Sequence, residues 1–343
     1  TRFTRNCASE VEEAILELTD ENEVKGLVLD LRGNPGGLLN ESVRLCNLFI
    51  DKNQEVVSTK GKIKDWEKSY KTMKEPLDKE LPLAVLINQS SASASEIVSG
   101  TIQDLDRGIV LGKKSFGKGL VQQTRKLSYN SQLKVTVAKY YTPSGRCIQA
   151  LDYTNKNDDG SVGKVADSLK TAFKTRNGRT VFDGGGVDPD IVIDQEAFAK
   201  IVGSLVSKQL IFDFATEFVL QNDSIEAPGV FKISDALYED FVMFLSDKEY
   251  EYETNTEKKM AELIDKAEDE YADFKEDLEL LQKKLLSYKE DDIHKYQSQV
   301  SELILSELMA RYYYQEGRVI ASLADDPVLK EATSVLHDSD RYK

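Results

Sequence analysis

Residues 24–31 read Val-Lys-Gly-Leu-Val-Leu-Asp-Leu, and residues 32–37 follow with Arg-Gly-Asn-Pro-Gly-Gly. The first run is short, apolar and rich in branched side chains, which suits a buried strand. The second cannot continue it, because three glycines and a proline in six residues force a turn. Apolar positions then recur at helical spacing, at Leu38, Leu39, Val43, Cys46, Leu48 and Phe49. Strand, glycine-rich turn and helix together open a parallel βαβ unit.

The same pattern continues on both sides. Residues 9–19 space Val11, Ala14, Ile15 and Leu18 as an amphipathic helix. Leu83–Ile87 is a second buried-strand candidate, followed by the serine-rich segment 88–95 and a helix to about Leu105. Ile109–Leu111 is a third strand, 112–119 is a Gly/Lys loop, and Lys134–Tyr141 alternates like a strand. Residues 51–80 read as a charged excursion and 150–180 as polar loop. A turn cluster at 183–190 precedes Ile191–Ile193. Strands alternating with helices predict an α/β layer fold. Beyond about residue 195 the period is helical. Met260, Leu263, Ala267, Tyr271, Phe274, Leu278 and Leu281 line up as one amphipathic helix or a short antiparallel pair, with further helices at 291–316 and 329–337.

Composition divides the chain at the same place. Of 343 residues, 45 are Lys or Arg and 60 Asp or Glu, a net charge of −15. Residues 1–200 hold 29 basic and 28 acidic side chains, whereas 201–343 hold 16 and 32. Seventeen of the 20 glycines precede residue 200. The reading is therefore a core over 1–197 and an acidic all-α extension over 198–343. The acidic balance argues against a nucleic-acid binder, whose affinity comes from neutralising phosphates. No apolar run approaches a membrane span. Cys7, Cys46 and Cys147 are too few and scattered for a disulfide framework or a zinc knuckle. Thr1 is not an initiator methionine, so the chain reads as processed or as a fragment.

Three segments could carry chemistry. The serine-rich segment 88–95 sits where a strand end turns into a helix, the edge at which α/β folds place their sites. Backbone N–H groups at a helix start suit an oxyanion, although a serine there also serves as an ordinary cap. A nucleophilic serine needs a base. The two histidines, His294 and His337, both lie in the acidic region, so a lysine is the remaining common choice. An amine base has to be neutral, which takes desolvation. Lys118, between two glycines and beside an apolar run, reads as a buried amine or as an ordinary loop lysine. The turn at 33–37 lacks the endings of a P-loop or a dinucleotide site, which leaves an oxyanion donor or a plain tight turn.

Taken together, Leu-Asp-Leu-Arg-Gly-Asn-Pro-Gly-Gly (29–37), Ser-Ala-Ser-Ala-Ser-Glu-Ile-Val (91–98) and Gly-Lys-Gly-Leu-Val-Gln (117–122) resemble the carboxyl-terminal processing peptidases, or tail-specific proteases. Thr-Pro-Ser-Gly-Arg (142–146) and Gly-Gly-Val-Asp-Pro-Asp (185–190) look like later landmarks of that family. The resemblance covers about residues 10–195. It implies an α/β crotonase/ClpP-like peptidase core and a serine endopeptidase that cuts protein substrates near their C-terminal tails through an acyl-enzyme. It implies Ser93 as nucleophile, Lys118 as general base and Gln122 as the residue orienting the lysine. Ala94 and a residue of the Gly36–Gly37 turn would supply the oxyanion hole. Ser91 and Ser95 compete with Ser93, and the family spacing to Lys118 favours Ser93. Asp104 matches an accessory acidic position, read here as a structural partner. No metal or cofactor is implied. Expected partners are protein tails and a second copy bound through the helical extension, in an extracytoplasmic bacterial setting. The family's PDZ-type domain is expected to be absent from this chain. The alternative is a silent peptide-binding or scaffolding module that depends on such a domain.

Overall fold

A computed structural model describes residues 2–156, 159–194, 198–270 and 272–342. It divides into two compact units, Thr1–Asp194 with Pro327–Lys343, and Gln195–Asp326. The sequence reading placed one boundary at residue 197, which lies outside the described residues.

In the first unit, helix α1 spans Cys7–Glu21, strand β1 Leu27–Asp30 and α2 Leu39–Cys46. Strands β2 (Glu55–Lys60) and β3 (Lys68–Lys71) follow, then β4 (Leu83–Ile87), α3 (Ala94–Asp104), β5 (Ile109–Gly112), β6 (Leu120–Lys126) and β7 (Gln132–Tyr141). Four short strands, β8 (Leu151–Lys156), β9 (Val162–Lys164), β10 (Ala172–Lys174) and β11 (Thr180–Phe182), pair as two hairpins before β12 (Ile191–Val192). A parallel sheet runs β1-β4-β5-β12, with Leu27 opposite Leu83 and Ala84 opposite Ile109. An antiparallel sheet runs β3-β2-β7-β6. The excursion at 51–80 and the loop at 150–180 thus hold strands that their charged and polar side chains concealed. Strand β6 was likewise unread.

β4 explains why the parallel sheet has two covered faces. Its side chains alternate. Leu83, Val85 and Ile87 enter the core that includes Leu45, Ile97, Val98 and Ile102 of α2 and α3. Ala84 and Leu86 face the other way. All five are fully buried, which is why the sequence reads as an unbroken apolar run.

The second unit is helical among its described residues: α4 (Lys200–Ser207), α5 (Leu210–Gln221), α6 (Asp235–Phe244), α7 (Asn255–Glu270), α8 (Ala272–Glu290), α9 (Asp292–Lys295) and α10 (Gln297–Ala324). Phe214, Tyr238, Phe241, Val300, Ile304 and Leu308 form its core. Phe214 and Phe241 meet edge to face at 5.0 Å. The buried Tyr238 hydroxyl donates to the Ile293 carbonyl at 2.5 Å, so it is not left unpaired. Ser234 caps α6 by accepting from Leu237 N–H at 3.2 Å. The pattern from Met260 to Leu281 resolves into a pair, α7 and α8. Lys289 near the end of α8 returns to Glu257 at the start of α7 at 2.9 Å. Tyr271 lies outside the described residues.

The chain then rejoins the first unit. In α11 (Pro327–His337), Val328, Ala332 and Val335 fall on one helical face and are buried against Ala84, Leu86 and Leu111. α12 (Ser339–Tyr342) adds Tyr342, whose hydroxyl accepts from Leu83 N–H at 2.8 Å. Residues 327–342 therefore cover the second face of the parallel sheet. Periodicity announced the helix but could not name the surface it covers.

Candidate active site

The turns after β1 and β4 are laced together. Ser91 Oγ donates to the Leu31 carbonyl at 2.8 Å and accepts from Asn88 N–H at 2.9 Å. Ser95 Oγ donates to the Asn34 carbonyl at 2.9 Å, and Ala92 N–H reaches the same oxygen at 3.0 Å. Asn88 Oδ1 accepts from Gly33 N–H at 3.0 Å. Gly36 (φ +95°) lies flat against the second turn, where a Cβ would come within 2.5 Å of Ala92 O and 2.8 Å of Ala94 N. Only glycine fits there.

This lacing sorts the three serines. Ser91 and Ser95 are fully buried and their hydroxyls are spent on the opposite turn. Ser93 is partly exposed at the N-cap of α3, with φ +57° and ψ −110°. A positive φ is uncommon for a residue with a side chain and stores strain. The surrounding hydrogen bonds hold the backbone in it.

The backbone donors around Ser93 are also sorted. Gly36 N–H is committed to Asn34 Oδ1 at 2.9 Å. Among the described residues, the Gly37 and Ala94 N–H groups have no acceptor. Ala94 is the first residue of α3, where helix N–H groups point outward and favour negative charge.

Sequence reasoning missed the residue that ties the site together. The Glu96 carboxylate, 0% exposed, accepts four hydrogen bonds. Oε2 takes Ser93 N–H at 2.9 Å and Lys118 N–H at 2.8 Å. Oε1 takes Gly117 N–H at 2.6 Å and Ser115 Oγ–H at 2.5 Å. The backbones of Ser93 and Lys118 thus share a single oxygen. Burial pushes the Glu96 carboxyl above its ordinary range, and the four donors pull in the opposite direction. The signal was present as Ser93-x-x-Glu96, the spacing of a capping box.

Lys118 differs from the buried amine that its Gly-Lys-Gly setting suggested, for the residue is exposed. The flanking glycines explain this. A Cβ on Gly117 would meet Ala150 Cβ at 2.3 Å, and one on Gly119 would meet Gln149 N at 2.6 Å. The glycines let the backbone press onto 149–150, and the lysine between them takes the solvent side. Gln122 stands on β6 rather than on a helix or loop. It is exposed, beside an irregularity in register, and its amide donates to Thr136 Oγ1 at 3.5 Å. The site therefore gathers Gly36, Gly37, Ser93, Ala94 and the Lys118 backbone, with Gln122 directed to its neighbouring strand.

Asp104 is the last residue of α3, about 16 Å along the helix axis from Ser93 at 1.5 Å per residue. Its carboxylate accepts from Ser144 N–H at 3.0 Å and lies 2.8 Å from Arg146, both side chains 0% exposed. The Oδ1 contact is close but off hydrogen-bond geometry. Removing one partner of a buried pair strands the other charge. Asp104→Ala is expected to lower stability by about 3–5 kcal/mol in a urea melt. Well below the melt, a serine-directed probe should still label Ser93. Loss of labelling in a still-folded variant would instead place Asp104 in the site's chemistry.

Two family models match the chain, one in each of its two regions. Residues 1–156 match the model of Peptidase family S41. Residues 201–336 match a model described as the C-terminal helical domain of a probable PDZ-protease. The resemblance read from the three motifs thus holds over the first part of the chain, which is a mixed α/β fold followed by a helical domain. Among curated proteins, the carboxy-terminal-processing protease of Bartonella bacilliformis is 42% identical over 156 residues, 45% of this chain and 36% of that one. A probable CtpA-like serine protease of Staphylococcus haemolyticus is 43% identical over 150 residues, 43% of this chain and 29% of that one. The chain spans about a third of the length of these relatives. A solved photosystem II D1 C-terminal processing protease superposes with a TM-score of 0.43 at 30% identity, covering 56% of this chain and 40% of that one.

Proposed function

We propose that the protein is a serine endopeptidase that cleaves protein substrates near their C-terminal tails. The observation that carries the reading is the sorting of the serines: of Ser91, Ser93 and Ser95, only Ser93 is accessible and has its hydroxyl proton given to neither turn, beside two free N–H groups. Ser93 Oγ attacks the scissile carbonyl carbon, and its proton passes to the neutral amine of Lys118. The N–H groups of Ala94 and Gly37 hold the oxyanion. The C–N bond breaks, the leaving amine takes the proton from Lys118, and the acyl group stays on Ser93. Water then attacks the ester with Lys118 as base, and Ser93 regains its proton. Glu96 fixes the backbones on which both side chains are carried. Gln122 orients Lys118 once it leaves Thr136. A bound tail covers the exposed Lys118 and strips its water. Assembly through the helical domain and an extracytoplasmic setting rest on the family resemblance. Among the described residues no helix is long and apolar enough to cross a membrane.

A second reading, a silent peptide-binding module, draws on the exposure of Lys118. Incubation with a protein bearing an unstructured apolar tail separates the two. Tail-dependent cleavage supports the peptidase. Binding of the tail peptide without cleavage or labelling by a serine probe supports the module.

A further inference from the structure

One end of the antiparallel sheet departs from the rest of the chain in charge and in exposure. Residues 122–136, the outer part of the β6–β7 ribbon, are all exposed, so neither face of it is packed. Such a ribbon is marginal by itself. Leu127 and Tyr129 stand at its turn, with Tyr129 fully exposed at 101%. The β2–β3 turn ends beside it. β2 runs antiparallel to β7 with Lys60 opposite Lys139, and the Arg125 guanidinium lies 5.5 Å from the Trp66 ring centre. Ile63 and Trp66 are exposed there too. From Arg107 to Leu151 the sequence holds nine cations and no carboxylate, in a chain of net charge −15. Arg125, Lys126, Lys134 and Lys139 of these lie on the β6–β7 ribbon, whereas Lys113, Lys114 and Arg146 pair with Asp194, Asp188 and Asp104. Lys64 and Lys68 flank Trp66, with Asp65 and Glu67 beside it, and Lys126 and Lys134 flank Tyr129.

We propose that these two hairpin tips dock the protein on an anionic lipid bilayer, with Trp66, Tyr129, Leu127 and Ile63 at headgroup depth and the surrounding Lys and Arg on the lipid charges. Tyr and Trp rings suit that depth, being apolar bodies with a polar handle. Lysine stems extend along such a surface while their ammonium groups reach the headgroups. A cationic patch is drawn to an anionic membrane. Cations on an exposed edge also discourage strand pairing, but that purpose is worked against by four apolar side chains at the turns. A peptide added along the β6 edge would pair with its backbone, whereas here the apolar groups project from the ends of two turns.

Trp66 is the only tryptophan and reports on its own surroundings. The full 343-residue chain is mixed with vesicles of phosphatidylglycerol and phosphatidylcholine, or of phosphatidylcholine alone. Co-sedimentation with the anionic vesicles and a blue shift of Trp66 emission are expected, both fading with added salt. Each surface cation contributes roughly a factor of five. Lys126→Gln with Lys134→Gln should therefore weaken partitioning about thirtyfold. Leu127→Ser with Tyr129→Ser should abolish the blue shift. All four positions are exposed, and circular dichroism confirms that the variants fold. Absence of binding to anionic vesicles overturns the proposal, as does binding that survives both double variants. A blue shift with polyglutamate and none with vesicles reassigns the surface to an acidic peptide.

Discussion

Ser93→Ala is expected to yield a folded protein that forms no acyl-enzyme and cleaves a tail-bearing substrate at least about four orders of magnitude more slowly. The Ser93 hydroxyl takes no part in the hydrogen bonds that lace the two turns, so its loss should cost only the cap it gives α3, about 0.5–2 kcal/mol. Lys118→Ala should cost about as much, and the double variant little more, because nucleophile and base act as one unit. Ser91→Ala and Ser95→Ala provide the contrast. Ser91→Ala removes two hydrogen bonds of a buried hydroxyl and Ser95→Ala one, each worth about 1 kcal/mol, so stability should fall while labelling persists. The measurements are intact mass after a serine-directed probe and turnover of the tailed substrate. Cleavage retained by Ser93→Ala removes it as the nucleophile. Labelling lost in a well-folded Ser91→Ala transfers the role to Ser91.

Glu96→Gln carries the second large effect, on folding and chemistry together. Four donors converge on the Glu96 carboxylate. An amide offers one oxygen and places an NH2 group against two of them. Each buried donor left unpaired costs about 1–3 kcal/mol, so a loss of about 4 kcal/mol is expected in a urea melt. The rate of Ser93 labelling should fall as well, since the turn and the Lys118 loop lose their common anchor. The pH profile has a defined sign. Burial raises the Glu96 carboxyl above the ordinary 4.5, so the folded state holds a proton that the unfolded chain has already released. That contribution is complete below 4.5 and is lost as pH rises through the elevated value. Wild type should therefore lose stability over that window relative to Glu96→Gln. Parallel profiles would show that Glu96 does not titrate in the folded protein.

Much of the parallel layer was legible, for physical reasons. β4 was read at its actual bounds because burial on both faces demands five apolar residues in a row. The turns at 32–37 and 88–95 were legible because glycine and serine leave few alternatives. β6 was not, because Gln122 to Lys126 are exposed and carry no alternation. β3 lay hidden in a lysine-rich stretch for the same reason, whereas β2 is largely buried but offers only Val56 and Val57 as apolar residues. In the site, the resemblance of three motifs to a peptidase family implied Ser93 and Lys118. Which hydroxyl is spent, and which N–H is free, depend on contacts between segments some sixty residues apart. Glu96 was unread, though its spacing from Ser93 is that of a capping box. Its reach to Ser115, Gly117 and Lys118 exists only once α3 and the Lys118 loop are side by side.

The return of residues 327–342 to the parallel sheet has a consequence for biosynthesis. A ribosome releases β1, β4 and β5 early, yet the helix that shields Ala84, Leu86 and Leu111 is translated only after the whole second unit. The nascent parallel layer therefore waits with one apolar side bare, a surface that a chaperone can hold. Its completion waits for residues 327–342, so a ribosome stalled within residues 195–326 leaves a half-clad sheet rather than a finished domain.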